Sequence, residues 1–347
     1  MTNEKEDIEF SQVNQIETVK GGFRHVVILG AGASKASCTD NPEKNGKLIP
    51  LMNDLPKIID LDNELKDLDL DLKNQNFELI FSHLFQKEPN SKRLISIEDK
   101  IYSYFEKLEL PNSPTIYDYL VLSLRDKDLI ATFNWDPFLW LAYERLSKYT
   151  QNLPKIVFLH GNVSIGYCKK TRTFGPNSYL NPKTGKPYKA SKLLYPIDKK
   201  DYNTDGFIKS QWETLSLFLE RPARVTIFGY SAPKTDIEAI SIMKEAWGEP
   251  EIRQSMTQFE IIDIQSEDKL LKSWEDFIFS HHYEISNSFF ESSIFYYPRR
   301  TGEVYNAQYL DAKFVEGNLP PKFSNLDEMW RWYKKLIEAE KTIKFVK

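Results

Sequence analysis

Short runs of apolar residues recur along the chain, and each ends in glycine or in polar side chains. The runs are rich in β-branched residues, and they lack the alternation of a strand with one wet face. Such runs are typical of strands buried on both faces of a parallel sheet. The pattern predicts five strands, at 26–29, 129–133, 155–159, 224–228 and 259–264.

Segments with helical spacing of apolar residues separate these runs. We predict helices at 77–85, 117–124, 135–146, 211–219 and 236–247, and a last amphipathic helix from Ser324 or Asn325. Strands that alternate with helices predict right-handed βαβ units, and therefore an α/β fold with a Rossmann-like parallel sheet. Segment 166–192 is rich in Gly, Pro, Lys and Asn, which predicts an irregular insertion.

The same pattern suggests a division of the 347 residues, of which 41% are hydrophobic. We expect a polar N-terminal arm at 1–22 and a main α/β domain at 23–305. That domain carries a helical insertion at about 40–128. Residues 306–347 are predicted to form a C-terminal extension with a terminal helix, whose apolar side packs on its own domain or serves as an interface.

Charge and cysteine content narrow the class of protein. The net charge of −4 gives no general attraction to nucleic acid, so we expect no direct sequence-specific nucleic acid binding. No stretch approaches the roughly 20 apolar residues of a membrane helix, and the acidic N-terminus does not resemble a secretory signal. Two cysteines, Cys38 and Cys168, provide no C-x-x-C pair for zinc. We expect a cytoplasmic protein with no membrane partner and no metal.

The first strand is followed by Gly30-Ala31-Gly32-Ala33-Ser34, which resembles a phosphate-binding turn. Glycines let the backbone approach a pyrophosphate, the next helix would attract its charge, and Ser34 adds a hydroxyl donor. The common dinucleotide fingerprint requires glycine where this chain has Lys35, and no Gly-Lys-Ser/Thr follows for an NTPase loop. A plain tight turn is the alternative interpretation.

Other strands end in residues suited to a ligand site, since ligands bind beyond the carboxyl ends of strands in open α/β sheets. Asn134 and Asp136 could hold ribose hydroxyls or a water, although both are also common helix caps. His160 could accept a proton near pH 7, although a lone histidine is more often structural. We interpret His281 and His282 as structural or interfacial, and find no partner in the sequence for His25 or His83.

Taken together and in order, these motifs resemble the sirtuin (SIR2) superfamily, and more closely the SIR2-like NAD hydrolases of bacterial antiphage defence. The matching segments are 30–34, 132–136 (Thr-Phe-Asn-Trp-Asp), 160–161 (His-Gly) and 229–231 (Gly-Tyr-Ser), with support from Phe77-Glu78 and from 297–303. The resemblance spans roughly residues 23–305, and each motif is short.

The resemblance implies that NAD is the substrate. Asn134 and Asp136 would hold the nicotinamide ribose, Asn134 would also place the attacking water, and His160 would be the general base. The resemblance also implies a set of residues that contact NAD: Gly30, Ala31, Gly32, Ala33, Ser34, Thr132, Gly161, Gly229, Tyr230 and Ser231. Asp263, at the end of the fifth predicted strand, could accept a hydrogen bond from a ribose hydroxyl of the adenosine.

Departures from the family pattern refine this implication. Deacylating sirtuins carry a four-cysteine zinc module after the catalytic histidine, where this chain has only Cys168. They usually have Gln where this chain has Phe133, and their Pro-Asp-Phe-Arg run is absent from 48–54. An acyl-lysine substrate is therefore disfavoured. Water becomes the expected acceptor, giving nicotinamide and ADP-ribose.

Several alternatives remain at this stage. An NAD-dependent oxidoreductase is disfavoured by Lys35 and by the lack of an obvious acidic residue ending a second strand. A non-catalytic subunit that senses NAD or ADP-ribose, and a zinc-free sirtuin-type deacylase, also stay open. The resemblance further implies a defence effector that depletes NAD on phage infection, as in abortive infection. We expect the activity of such an effector to be controlled by homo-oligomerisation or by a separate regulatory subunit such as a HerA-like ATPase. Residues 1–22 and the region after 305 are candidates for the interface.

Overall fold

The computed structural model describes residues 22–40, 42–69, 76–197, 202–230, 237–248, 256–278 and 282–341. Nearly all of the predicted N-terminal arm lies outside these ranges. So do Ser231, His281 and the first residue of the helix predicted from 236.

A six-stranded, fully parallel sheet forms the centre of the molecule. Its strands are β1 (His25–Leu29), β2 (Leu129–Thr132), β3 (Lys155–Phe158), β7 (Arg224–Phe228), β8 (Gln258–Ile262) and β9 (Tyr283–Ser286). Their spatial order is β3-β2-β1-β7-β8-β9. Without the three strands that lie elsewhere, this is the doubly wound Rossmann order. The predicted α/β class and Rossmann-like sheet are confirmed.

The strand register explains why the sequence predicted five of these strands. Val27 pairs with Ile130 on one side and with Thr226 on the other, and every residue of β1, β2, β7 and β8 is buried. Burial on both faces requires the continuous apolar runs seen in the sequence. Strand β9 was not predicted because all four of its residues are only half-buried.

Helices flank the sheet and fill the long connection between β1 and β2. The helices before β3 are α1 (Ala31–Ser37), α2 (Leu55–Ile58), α3 (Asp62–Leu65), α4 (Phe77–Lys87), α5 (Lys92–Glu106), α6 (Ile116–Leu122) and α7 (Phe138–Ser147). Those after it are α8 (Gly206–Leu219), α9 (Ile237–Trp247), α10 (Glu267–Trp274), α11 (Ser293–Tyr296), α12 (Thr301–Tyr305) and α13 (Leu326–Lys341). A 3₁₀ turn at Phe289–Glu291 and a π turn at Asn306–Leu310 complete the C-terminal part. None of the described helices is long and apolar enough to cross a bilayer.

Segment 166–192 was predicted to be irregular, and that prediction is wrong. It contains a small antiparallel sheet of β4 (Ile165–Cys168), β5 (Thr173–Pro176) and β6 (Lys189–Ala190), in the order β5-β4-β6. A Cβ added to Gly166 or to Gly175 would lie 2.7 Å from an atom of Tyr188. The side chain of Tyr188 thus packs closely against two glycines of the sheet, and such contacts leave no alternating apolar pattern in the sequence.

Helix α13 packs on the same core as the central sheet. Its Met329, Tyr333 and Leu336 are buried within the large hydrophobic cluster that includes β1 and β2, and Ile337 is buried as well. These residues therefore pack inward, as one of the two interpretations of this helix expected. The domain boundary placed at residue 305 stays a prediction.

His25, for which the sequence offered no partner, is bound on both ring nitrogens. Its Nδ1 lies 2.7 Å from the Thr301 hydroxyl and its Nε2 lies 2.8 Å from the Thr226 hydroxyl. Complete burial holds the pKa of His25 well below its ordinary value. This histidine is a neutral structural residue at the amino end of the sheet.

Candidate functional site

The loops that follow β1 and β7 touch at the point where the strand order reverses, which is where ligands bind in this fold. The Gly32 N–H donates to the Gly229 carbonyl oxygen at 3.0 Å. A Cβ on Gly30 would lie 2.5 Å from that same oxygen. Gly229 itself has φ +61°, and a Cβ there would lie 2.3 Å from the Ala33 nitrogen. The two loops approach so closely that no side chain fits at these positions, which accounts for the glycines.

Ser34 is the centre of a buried hydrogen-bond cluster. Its Oγ donates to Asp136 Oδ2 at 2.7 Å and accepts from Asn134 Nδ2 at 2.9 Å. The Tyr117 hydroxyl lies 2.7 Å from the same Oγ. Because Ser34 has a single hydroxyl proton and gives it to Asp136, Tyr117 must be the donor in that contact. The role of Ser34 as a phosphate donor stays a prediction, and in this arrangement its proton is already engaged.

The orientation of the Asn134 side chain is fixed by its neighbours. Its Nδ2 donates to the Gly30 carbonyl oxygen at 2.8 Å, and a carbonyl can only accept. The amide nitrogen therefore faces the glycine loop and Ser34. The other amide atom, Oδ1, accepts no hydrogen bond from the described residues and is not among their fully buried unpaired atoms. It is available to a water or a ligand hydroxyl.

Asp136 uses both carboxylate oxygens inside the protein. Oδ1 accepts from the Phe138 N–H at 3.1 Å, and Oδ2 accepts from Ser34. Burial raises the pKa of Asp136 to about 6, against the lowering effect of the hydrogen bonds from Ser34 and Phe138. The group is ionised at neutral pH, and it acts by orienting Ser34.

Tyr117 was not predicted as a site residue. It lies on α6, which begins with a capping box in which the Thr115 N–H and hydroxyl donate to Asp118 at 2.6 and 2.7 Å. Burial raises the pKa of Tyr117 well above its ordinary value, so the hydroxyl keeps its proton. The only signal in the sequence was a hydroxyl on a helix that is otherwise suited to burial.

Asn162 joins the loop after β2 to the loop after β3. Its Nδ2 donates to the backbone oxygen of Asp136 at 2.6 Å and to that of Asn134 at 3.3 Å. Its own backbone N–H and carbonyl exchange hydrogen bonds with the Ser191 hydroxyl at 3.1 and 2.9 Å. The preceding residue, Gly161, has φ +77°, and a Cβ there would lie 2.0 Å from the Lys192 oxygen. Asn162 was not predicted as a site residue.

His160 lies among aromatic side chains beside this cluster. Its Nε2 is 3.1 Å from the Tyr202 hydroxyl, and its ring meets Phe133 edge-on with centroids 4.8 Å apart. Phe133 also stacks on Tyr230 at 4.2 Å. Trp212 closes the group, 4.8 Å from Tyr202 and 5.9 Å from Phe133. The predicted NAD contact Tyr230 and the predicted base His160 therefore both contact Phe133.

The remaining predicted site residues have other surroundings. The Thr132 hydroxyl accepts from the Asn134 N–H at 3.0 Å and is buried. Asp263 follows β8, two strands from β1, and its Oδ1 accepts from the Gln265 N–H at 3.0 Å within its own turn. The structure thus brings Gly30, Ser34, Asn134 and Asp136 into direct contact, and it does not bring Asp263 to them.

Among the described residues, no group of three or more His, Cys, Asp or Glu side chains is arranged to hold a metal ion. Cys38 is half-buried, and burial raises the pKa of its thiol to about 11. The candidate site itself presents amide, hydroxyl, carboxylate and imidazole groups from Asn134, Ser34, Asp136 and His160.

No protein-family model matches this chain, and no curated protein matches it either. The fold is similar to that of solved sirtuin structures. A mutant Sir2 homologue in complex with ADP-ribose has a TM-score of 0.41 and 13% identity, covering 86% of this chain and 98% of that chain. A Sir2 homologue–NAD complex has a TM-score of 0.37 and 14% identity, covering 93% and 94%. Sir2 bound to an acetylated peptide has a TM-score of 0.39 and 12% identity, covering 88% of this chain and 98% of that chain.

Proposed function

We propose that this protein hydrolyses the nicotinamide–ribose bond of NAD. The observation that carries the proposal is the Asn134 amide, whose nitrogen is held by Gly30 and Ser34 while its oxygen remains available. This oxygen lies at the carboxyl edge of a Rossmann sheet, beside the glycine loop. A fixed acceptor there is suited to orient a water or a ribose hydroxyl.

The proposed reaction consumes water. Water adds to the ribose carbon as the bond to nicotinamide breaks, and the products are ADP-ribose, nicotinamide and one proton. As the charged nicotinamide ring leaves, positive charge develops on the ribose. A preorganised amide oxygen and a nearby carboxylate stabilise that charge better than mobile water does. Asn134 is the group proposed to contact the reacting water, and Asp136, Ser34 and Tyr117 act through it as positioning residues.

His160 is proposed to take the proton released by the attacking water or by a ribose hydroxyl. A general base of this type contributes on the order of 10²–10⁴ in rate. Its ring is held by Tyr202 and Phe133, which fixes its orientation before substrate arrives. Phe133 and Tyr230 supply an apolar wall that would exclude bulk water from the developing charge.

The biological role proposed here rests on the sequence resemblance alone. An enzyme that depletes NAD when phage infects would serve as a defence effector. Because unrestrained NAD loss would also poison the host, we propose that activity is gated by a homo-oligomer or by a separate regulatory subunit, of which a HerA-like ATPase is one type.

The deciding experiment follows nicotinamide release from NAD by chromatography. The wild-type protein, Asn134→Ala and a matched control, Asn45→Ala on an exposed loop, are compared after circular dichroism shows that all three are folded. We expect the wild type and the control to release nicotinamide and ADP-ribose in equal amounts. Asn134→Ala is expected to lose at least about 100-fold in rate. A folded Asn134→Ala protein with full activity contradicts the proposal, as does NADH formation by the wild type.

A further inference from the structure

The small sheet carries a concentrated positive charge in a protein whose net charge is −4. Between residues 165 and 192 the sequence contains seven cationic residues and no Asp or Glu. All seven are exposed: Lys169, Lys170, Arg172, Lys183, Lys186, Lys189 and Lys192. We call this group the basic sheet. This positive charge is confined to one segment and cannot be seen in the net charge of the whole chain.

The fold brings five of these cations to one end of the basic sheet. Lys169, Lys170 and Arg172 lie on the turn between β4 and β5, and Lys183 and Lys186 lie on the turn that precedes β6. One side chain joins the two turns. The buried Asn181 amide donates to the Thr171 and Thr173 hydroxyls at 2.9 and 3.0 Å and accepts from the Lys183 N–H at 2.9 Å.

The positive charges are not neutralised within the described part of the chain. None of the seven side chains makes an ion pair or a hydrogen bond there, although Lys192 favours the charged form of Glu98 electrostatically. Gathering like charges at one end of a small sheet costs free energy through repulsion. A polyanion bound at this end would relieve that repulsion.

We propose that the basic sheet binds single-stranded nucleic acid without sequence preference. Lysine and arginine side chains would contact the phosphates. Tyr179, which is 62% exposed and lies at the base of the second turn, would stack on a base. A cationic surface with an exposed aromatic ring is the usual combination for single strands, since every base presents a stacking face. An acidic polypeptide would neutralise the charges, but it has no bases that could stack on the Tyr179 ring.

The binding proposal does not depend on NAD hydrolysis, and its test needs no activity measurement. Fluorescence anisotropy is followed with a labelled oligo-dT of about 16 nucleotides, at several salt concentrations between about 50 and 200 mM. Lys183→Ala/Lys186→Ala is compared with the matched pair Lys269→Ala/Lys272→Ala. That control pair removes two exposed lysines from α10, so the two variants have equal net charge.

We expect the wild type and the α10 control to bind equally and to show the same salt dependence. In Lys183→Ala/Lys186→Ala we expect the negative slope of log affinity against log salt to become shallower by about 1.4, because each of two lost phosphate contacts on a single strand contributes about 0.7. Tyr179→Ala weakens binding about tenfold without changing that slope, since stacking is not a counterion effect.

Absence of wild-type binding at low salt overturns the proposal. So does equal weakening in the α10 control, which would show that only net charge matters. Competition by poly-glutamate as effective as competition by unlabelled oligonucleotide would assign the surface to an acidic protein instead. Tighter binding of a duplex, together with no effect of Tyr179→Ala, would overturn the single-strand assignment.

Discussion

The hydroxyl oxygens of Tyr117 and Ser34 lie 2.7 Å apart, and Ser34 in turn donates to the Asp136 carboxylate at 2.7 Å. The chain of donors runs in one direction, from phenol to serine to carboxylate. Asn134 donates to Ser34 in the middle of this chain. The orientation of its available amide oxygen therefore depends on Ser34 and, through Ser34, on Tyr117 and Asp136.

The first prediction concerns Tyr117→Phe, which removes one donor to Ser34 and leaves the ring in place. A typical internal hydrogen bond contributes about 1 kcal/mol, so we expect kcat for NAD hydrolysis to fall about fivefold. KM should stay nearly constant, because Tyr117 is not proposed to touch NAD. The control is Tyr333→Phe, another fully buried tyrosine, whose hydroxyl lies 2.8 Å from Ser123. An equal fall in kcat for both variants would show a general packing effect.

The second prediction concerns pH. With the pKa of Asp136 raised to about 6, its carboxylate is present above that pH and is lost below it. We expect kcat to fall about tenfold per pH unit below pH 6, because a protonated Asp136 no longer fixes the direction of the Ser34 hydroxyl. Asp136→Asn should show low activity and should lose the part of the acid limb that is due to Asp136, so that only the dependence on the general base remains. An acid limb in Asp136→Asn identical to that of the wild type would show that Asp136 does not contribute to it.

Stability should move in the opposite direction to activity over the same range. The folded pKa of Asp136 lies above its ordinary value of 3.8, so between these values the folded state binds a proton that the unfolded state does not. Linkage then requires this group to stabilise the fold as the pH falls from 6 towards 3.8. Thermal melts of the wild type and Asp136→Asn over that range measure the difference, and unfolding that tracks the loss of activity in the wild type alone would contradict the assignment.

The third prediction compares two glycines with the same backbone conformation. Gly229 and Gly185 have φ of +61° and +65°, but a Cβ on Gly229 meets the Ala33 nitrogen at 2.3 Å while one on Gly185 meets nothing within 4 Å. We expect Gly185→Ala to cost about 1 kcal/mol of unfolding free energy from backbone strain alone. Gly229→Ala should cost more than about 3 kcal/mol. Urea denaturation gives both values, and equal costs would contradict the described contact of the two loops.

The fourth prediction tests how α13 is anchored. Glu340 binds the buried Arg299 guanidinium through two contacts of 2.6 and 2.8 Å, while Glu338 on the same helix is exposed. Glu340→Gln leaves a buried cation without its counter-charge and should cost about 3 kcal/mol. Glu338→Gln should change stability by less than about 0.5 kcal/mol. Chemical denaturation measures both, and a small effect of Glu340→Gln would mean that the pair is solvated.

Much of the central sheet could be predicted because burial on both faces leaves a local mark, an uninterrupted apolar run. The small sheet leaves no such mark, since Tyr188 packs on glycines that are distributed along 166–175. Strand β9 is half-buried at the edge and has the mixed composition of a loop. In both cases the stabilising contacts are tertiary and have no period along the chain.

The site shows the same division. Ser34, Asn134 and Asp136 could be found because each follows a predicted strand, and parallel strands end at one edge. Tyr117 lies 83 residues from Ser34 and on a helix, so no spacing connects it to the cluster. Tyr202, which contacts His160, lies outside every element that the sequence predicted and gave no signal. Partners supplied by helices and loops have to be read from the three-dimensional contacts.

The contacts of Arg299 affect the order in which parts of the candidate site can form during folding. Its guanidinium donates to the carbonyl oxygens of Leu122 and Leu124, at the end of the helix that carries Tyr117, and Glu340 holds it there. During synthesis on a ribosome, the end of that helix therefore lacks its support until residue 340 has emerged from the exit tunnel.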